Sequence, residues 1–159
     1  MEKNKSKNLK VIAIFVWVAV VWAVILLFGK PNPSKSDSKS HLNIMNEDMS
    51  FALKKGGDVY WREATYKYGG ALLIVNLNAY SWSRSLAGSY RSDLLMRGWV
   101  EIEEDDEKLS FCKDGMIAEI YLRAGKDSSR GPTRDIYLFL MSYDGNTIDQ
   151  CGNNENRKN

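Results

Sequence analysis

The most apolar part of the chain lies near its start. Residues 11–28 form a run of 18 residues without a charge, a proline or a glycine. A helix of this length is about 27 Å long, close to the thickness of the hydrocarbon core of a bilayer. The pattern therefore predicts a transmembrane helix over residues 11–29. A cleaved signal peptide is the main alternative and a buried core helix a second one, but the run is longer than a signal peptide's apolar region and no small-x-small cleavage site ends it.

Basic and polar segments flank this run. Residues 1–10 form a basic N-terminal tail with four lysines. Residues 30–41 read KPNPSKSDSKSH, a composition of Pro, Ser and Lys that predicts a flexible tether. Because lysines lie on both sides of the run, the positive-inside rule favours a cytoplasmic N-terminus, with the rest of the chain extracytoplasmic, by only a narrow margin.

Residues 42–151 are predicted to form one α+β domain. Two segments within it have the periodicity of apolar residues that is typical of helices. A short helix is predicted over residues 46–55. A clearer one is predicted over residues 81–97, where Leu86, Tyr90 and Leu94 recur every four residues. Gly98 then occupies a position that suits a left-handed terminating residue.

The other regular segments of the domain have the patterns of β-strands. The glycines at 69–70 and the Asp-Gly pair at 114–115 predict tight turns between them. Tightly joined strands are antiparallel, so we predict an antiparallel sheet of about four to five strands, packed by one or two helices. The polar residues 152–159 are predicted to be a disordered tail. Patterns typical of strands occur at residues 59–68, 71–77, 100–103, 109–111, 116–123 and 135–143.

Charge is distributed unevenly along the chain. The net charge of +2 combines a basic N-terminal part with a mildly acidic domain, since residues 41–151 hold 13 Lys and Arg against 17 Asp and Glu. A nucleic-acid binder needs a basic face to neutralise phosphates. The charge distribution therefore argues against a nucleic-acid partner.

Cys112 and Cys151 are the only cysteines. An even count fits one disulfide between them, which would persist outside the cytoplasm, and two unrelated thiols are the alternative. The only histidine, His41, falls in the predicted tether. On that placement a Ser-His-Asp triad, a Cys-His dyad and a Cys-His zinc site are all excluded from the domain. We therefore predict no catalytic residues, no metal and no cofactor.

Two groups of residues are candidates for a binding surface. Aromatic residues interleaved with arginine are typical anchors of protein interfaces, with core packing or a glycan or lipid surface as alternatives. The acidic stretch at 101–107 fits a surface for a basic partner, a solvated hairpin tip, or a metal-binding or catalytic carboxylate pair. The binding residues predicted from these groups are Tyr60, Trp61, Tyr66, Tyr68, Trp82, Glu101, Glu103 and Glu104.

These features favour a non-enzymatic, single-pass membrane protein whose small extracytoplasmic domain binds another protein. In a Gram-negative cell the domain would lie in the periplasm. An immunity or inhibitor protein and an accessory subunit of an envelope complex are two concrete forms. The alternative is a histidine-free enzyme that acts on cell-wall glycan with two carboxylates. The sequence does not define the oligomeric state.

Overall fold

The computed structural model describes residues 16–18, 20–22, 32–129 and 131–155. Two units are distinguished, Met1–Pro31 and Asn32–Asn159. In the first unit, residues 16–18 and 20–22 are helical. The predicted basic tail and most of the predicted transmembrane segment 11–29 lie outside the described residues. Among the residues that are described, no helix is both long enough and apolar enough to cross a bilayer.

The second unit belongs to the α+β class, as predicted. Short 3-10 turns follow the first helix, at Leu53–Lys55, and the second strand, at Ala79–Ser81. The helices are α1 (Lys35–Ala52), α2 (Arg84–Met96) and α3 (Gly145–Glu155). The strands are β1 (Val59–Lys67), β2 (Gly70–Asn78), β3 (Val100–Glu104), β4 (Lys108–Lys113), β5 (Met116–Tyr121), β6 (Gly125–Asp127) and β7 (Arg134–Asp144).

All seven strands form one antiparallel sheet. The order is β1-β2-β7-β5-β4-β3, and β6 pairs with the first residues of β7. The antiparallel sheet was predicted, but the predicted number of about four to five strands was too low. The least predictable strand is β6, because it has only three residues and lies in a polar stretch without alternation.

The first helix corrects the prediction of a flexible tether. Residues 30–41 were predicted to be unstructured, but α1 begins at Lys35. Ser34 Oγ accepts a hydrogen bond from the Asp37 amide (3.1 Å), and the Asp37 carboxylate accepts one from the Ser34 amide (3.2 Å). This reciprocal capping box stabilises the start of the helix. The predicted helix at 46–55 is therefore only the C-terminal part of a longer one.

The residues before α1 are also fixed to the domain. Pro33 is buried, and its carbonyl accepts a hydrogen bond of 2.9 Å from the Gly69 amide in the turn between β1 and β2. Gly69 has a φ of 93°, a conformation that favours glycine. The chain therefore enters the domain beside the β1–β2 turn.

Helices α1 and α2 pack on one face of the sheet. Tyr90 of α2 stacks on Phe139 of β7, with ring centroids 5.6 Å apart. Ser83 caps α2 by accepting a hydrogen bond from the Leu86 amide (3.1 Å), close to the predicted start of this helix. Fully buried side chains of the core include Met45, Met49, Leu73, Val75, Leu77, Leu94, Phe111 and Met141.

Helix α3 packs against the end of β7 and the start of β5. The sulfur atoms of Cys151 in α3 and Cys112 in β4 are 2.03 Å apart, the length of a disulfide bond. The predicted cysteine pair is therefore present. The tail predicted to be disordered from residue 152 is helical as far as Glu155, and residues 156–159 lie outside the described residues.

Candidate functional site

The second face of the sheet carries partly exposed apolar side chains on its central strands. Because neighbouring residues of a strand point to opposite faces, Leu72 and Ile74 point away from the helices. Opposite Ile74 lies Leu140 of β7, and opposite Asn76 lies Leu138. We call this surface the open face, and define it by Trp61, Leu72, Ile74, Ile136, Leu138 and Leu140.

The open face is separate from the packed interior. Its six residues belong to neither of the two clusters of buried apolar side chains found in the described part of the chain. Helix α3 reaches the same side of the sheet, but there Cys151 packs with Cys112 and Ile117, with Ile102 beside them. The helix therefore covers the sheet near the disulfide, at the start of β5 and the end of β7, rather than the apolar centre of β2 and β7.

A small charged network lies beside the apolar centre, on β4 and β5. Lys108 Nζ donates to Glu119 Oε1 (2.5 Å), and the hydroxyl of Tyr121 donates to Glu119 Oε2 (3.3 Å). The hydrogen bond to Glu119 raises the pKa of Lys108 above its usual value. On the other side of the apolar centre, Glu63 of β1 lies opposite Ile74. The open face is thus an apolar strip with charged groups on both sides.

Two of the predicted binding residues lie at this surface. Trp61 pairs with Asn76 and lies on the open face, partly exposed. Tyr60 occupies the adjacent irregularity in β1, and the guanidinium of Arg134 lies 4.1 Å from the centre of its ring. That distance is well within the range of a cation–π contact. The structure therefore places Trp61 and Tyr60 beside one another at this edge of the sheet, and their role as binding residues stays a prediction.

Two further predicted residues lie at the other end of β1. Tyr66 is 37% exposed and Tyr68 is 67% exposed, on either side of Lys67 at the β1–β2 turn. Trp61 and Tyr66 are five positions apart along the strand, which is roughly 17 Å. These tyrosines therefore belong to the end of the domain at which the chain enters, and not to the open face.

Trp82 has the contacts of a packing residue. Its ring stacks on Tyr137 with centroids 4.6 Å apart and meets Tyr90 edge-on at 6.1 Å. Both contacts are with residues that belong to the hydrophobic core or pack against it. Trp82 therefore packs against the core, which was one of the alternatives for the aromatic residues.

The predicted acidic residues lie at the far edge of the sheet. Glu101 and Glu104 of β3 both bind Arg91 Nη2 of α2, at 2.6 and 3.2 Å. Glu103 is exposed and lies opposite Ser110. Five inter-strand spacings, roughly 24 Å, separate β3 from β1. The predicted aromatic and acidic residues therefore do not form one surface.

The position of His41 corrects the argument that excluded histidine chemistry. This residue lies in α1, within the folded domain, and its ring stacks on Tyr143 with centroids 3.7 Å apart. Its Nδ1 is 2.8 Å from the carbonyl oxygen of Asp37, one helical turn earlier. Burial, followed by the charge of Asp37, raises the pKa of Tyr143. The contacts of His41 fix α1 against β7.

A shallow cleft of about 330 Å³ lies at the end of the sheet where the chain enters. Tyr66, Lys67 and Leu72 line one side of it, and Ser142 and Tyr143 line the other. No group of three or more His, Cys, Asp or Glu residues suited to a metal ion occurs within the described ranges.

The sequence indicated the strands of the open face but not their exposure. Residues 71–77 and 135–143 are apolar at successive positions, which predicts strands buried on both faces. From this pattern alone, Leu72, Ile74, Leu138 and Leu140 are expected in the interior. The small number of predicted helices could have indicated that one face stays exposed. One or two helices cannot cover both faces of a sheet of this width.

Comparison with known proteins gives no relative for this arrangement. No family model, no curated protein and no solved structure matches the chain.

Proposed function

We propose that this chain is a single-pass membrane protein whose domain binds another protein through the open face, without catalysing a reaction. The observation that carries the proposal is the apolar strip of Leu72, Ile74, Leu138 and Leu140, which stays partly exposed beside a well-packed core. Monomeric soluble proteins rarely expose contiguous apolar patches larger than a few hundred Å², and the largest patch on a monomer is often a contact site for a partner or a membrane.

The size of the strip indicates how the partner must bind. The whole open face covers three strand widths, on β1, β2 and β7, and about 20 Å along the strands, which gives roughly 300 Å². A standard protein interface buries about 800 Å² on each side. The apolar strip is therefore the centre of the binding surface, and the surrounding residues Tyr60, Glu63, Glu119 and Tyr121 supply the polar rim.

The charge of the domain favours a basic partner. Residues 41–151 carry 17 acidic and 13 basic residues, and beside the strip Glu63 and Glu119 are acidic whereas Lys108 is basic and paired with Glu119. Opposite charges at the rim accelerate association and suppress wrong partners. An immunity or inhibitor protein that covers a basic toxin would use such an apolar surface on an acidic domain. An accessory subunit of an envelope complex could use it in the same way.

Site-specific crosslinking in the native membrane tests the proposal. A photoreactive amino acid is placed at Leu140 or Ile74 on the open face, and at Ser85 or Ser92, exposed positions of α2, as matched controls. We expect the open-face positions to crosslink to one protein species and the α2 positions to give no such product. The same product from the α2 positions, or none from the open face, would contradict the proposal.

The enzymatic alternative is tested in the same system. Glycan hydrolysis needs two carboxylates that contact the substrate, whereas Glu101 and Glu104 both bind Arg91. We expect the combined variant Glu101→Gln and Glu104→Gln to retain the open-face crosslink. Glycan turnover by the purified wild-type chain that disappears in this variant would establish the enzyme instead.

A further inference from the structure

The length of chain available between the apolar run and the domain is short. The run ends at Phe28, and Asn32 lies beside the β1–β2 turn, to which Pro33 is bound. Four residues of fully extended chain span at most about 14 Å. The twelve-residue tether predicted from the sequence would have spanned about 40 Å. The capping box of α1 and the Pro33–Gly69 hydrogen bond remove most of that length.

This length is small compared with the domain. A domain of 128 residues is about 36 Å across. If the apolar run is held in a bilayer, as the proposed function requires, the domain cannot present an arbitrary side to the membrane. The end that carries the β1–β2 turn must stay close to the bilayer surface.

The residues at this end have the chemistry of a membrane interface. Tyr68 is 67% exposed and Tyr66 is 37% exposed, and Lys67 lies between them. Tyrosine is enriched at the level of the lipid headgroups, where its ring meets apolar chains and its hydroxyl meets water. Lys35 is exposed in the first turn of α1 at the same end. A lysine near an anionic membrane surface is attracted by the negative charge of the lipid headgroups.

The acidic groups at this end have partners within the domain. Asp37 binds Ser34 in the capping box, and its pKa is lowered by those hydrogen bonds. Asp144 accepts hydrogen bonds from the amides of Asn146 (2.7 Å) and Thr147 (3.0 Å) at the start of α3. Both carboxylates keep their negative charge but are held at the starts of helices α1 and α3, whereas the long side chains of Lys35 and Lys67 can extend to lipid phosphates.

From these observations we propose that the β1–β2 turn, with Tyr66, Lys67 and Tyr68, rests in the headgroup region of an anionic membrane. The domain then stands on this end, and the open face points sideways, parallel to the membrane surface. The inference rests on the proposed anchoring and adds to it a defined lipid-contacting surface.

Two exposed tyrosines provide a matched pair for the test. Tyr68 lies at the proposed contact, and Tyr80, which is 81% exposed, follows β2 at the opposite end of the sheet. Each is replaced in turn by an unnatural amino acid that carries a small fluorophore. The intact chain is then reconstituted in vesicles that contain phosphatidylglycerol, with a fraction of the lipids carrying a headgroup quencher.

We expect a loss of fluorescence at position 68 and none at position 80. The variant Lys67→Glu should weaken the loss at position 68, and vesicles of phosphatidylcholine alone should do the same. Equal fluorescence at the two positions would overturn the proposed surface. Resistance of the reconstituted chain to alkaline extraction is measured in parallel, because extraction of the chain would overturn the anchoring itself. A retained chain with no difference between positions 68 and 80 would overturn only the contact.

Discussion

At the scale of single residues, the buried carboxylate of Asp48 connects α1 to parts of the chain far away in sequence. Its oxygens accept hydrogen bonds from Arg97 Nε (2.6 Å), Trp99 Nε1 (2.8 Å) and Lys113 Nζ (2.8 Å). Burial opposes ionisation, but the hydrogen bonds from Lys113, Trp99 and Arg97 outweigh it and lower the pKa of Asp48. The carboxylate therefore remains charged and holds two cations in place.

We predict that Asp48→Asn lowers the free energy of unfolding by about 3 kcal/mol at neutral pH, because it leaves the partly buried Lys113 and the more exposed Arg97 without the buried carboxylate that they bind. The folded-state pKa of Asp48 is the lower one, so its contribution is complete above the unfolded-state value of about 3.9. It is lost as the pH falls through the folded-state value. The difference between variant and wild type should therefore shrink in acid, as measured by urea unfolding of the intact chain in mild detergent.

The matched control for Asp48 is the neighbouring Glu47. Its side chain is exposed and meets Arg97 only at 3.9 Å. Surface ion pairs of this kind contribute less than about 1 kcal/mol, so Glu47→Gln should unfold almost as the wild type does. A pH-independent loss in Asp48→Asn would contradict an ionic role for that residue.

The sequence identified aromatic candidates but could not separate binding residues from packing residues. Trp61 and Trp82 have similar local sequences, in which aromatic and polar residues are mixed. Trp61 lies on the open face because β1 pairs with β2 in a particular register. Trp82 stacks on Tyr137, a residue 55 positions further along the chain. Both outcomes depend on long-range pairing, which a local pattern does not contain.

At the scale of elements, two of the three α-helices described within residues 32–155 were misjudged from the sequence, and for the same reason. The first half of α1 (KSDSKSHL) and the whole of α3 (GNTIDQCGNNE) are too polar to show a helical apolar stripe. In α1 the buried stripe begins with Ser38, and in α3 it includes Cys151. By contrast α2 carries the regular stripe of Ala87, Tyr90 and Leu94, and its bounds were predicted to within a few residues.

The disulfide holds the polar helix α3 on the sheet, and we predict that its loss destabilises the domain. Cys112 and Cys151 are 39 residues apart, and closing a loop of this length restricts the unfolded chain by about 4 kcal/mol. The double variant Cys112→Ala and Cys151→Ala should lose about 3–4 kcal/mol in urea unfolding of the intact chain. Proteolysis within α3 should also become faster.

Reductant supplies the control for the disulfide variant. It should lower the stability of the wild-type chain to that of the double variant, and it should leave the double variant unchanged. If the double variant unfolds at the same urea concentration as the oxidised wild type, the disulfide does not constrain the unfolded chain.

At the scale of the whole molecule, the sheet order was beyond the reach of local patterns. The hairpin of β1 with β2 and the meander of β3, β4 and β5 follow from tight turns. Strand β7 lies between β2 and β5 in the sheet, although more than 50 residues separate β2 from β7 along the chain. That insertion places Leu138 and Leu140 beside Ile74 and so creates the open face.

The proposed location predicts the redox state of the molecule in living cells. Disulfides persist outside the cytoplasm, where thiol-reducing systems do not act. In intact cells, Cys112 and Cys151 should resist a thiol reagent unless reductant is added first. In a truncated variant that lacks residues 1–31 and is therefore expressed in the cytoplasm, both cysteines should react with the thiol reagent without added reductant. Reactive thiols in the full chain would place the domain on the cytoplasmic side and contradict the proposed location.

The hydrogen bond between Pro33 and Gly69 determines where the domain can be separated from the rest of the chain. A recombinant fragment that starts at Leu42, the boundary suggested by composition, would lack seven residues of α1 together with the capping box. It would also lack His41, whose ring packs on Tyr143. A fragment that starts at Asn32 retains all of these contacts and is the natural starting point for crystallisation or immunisation.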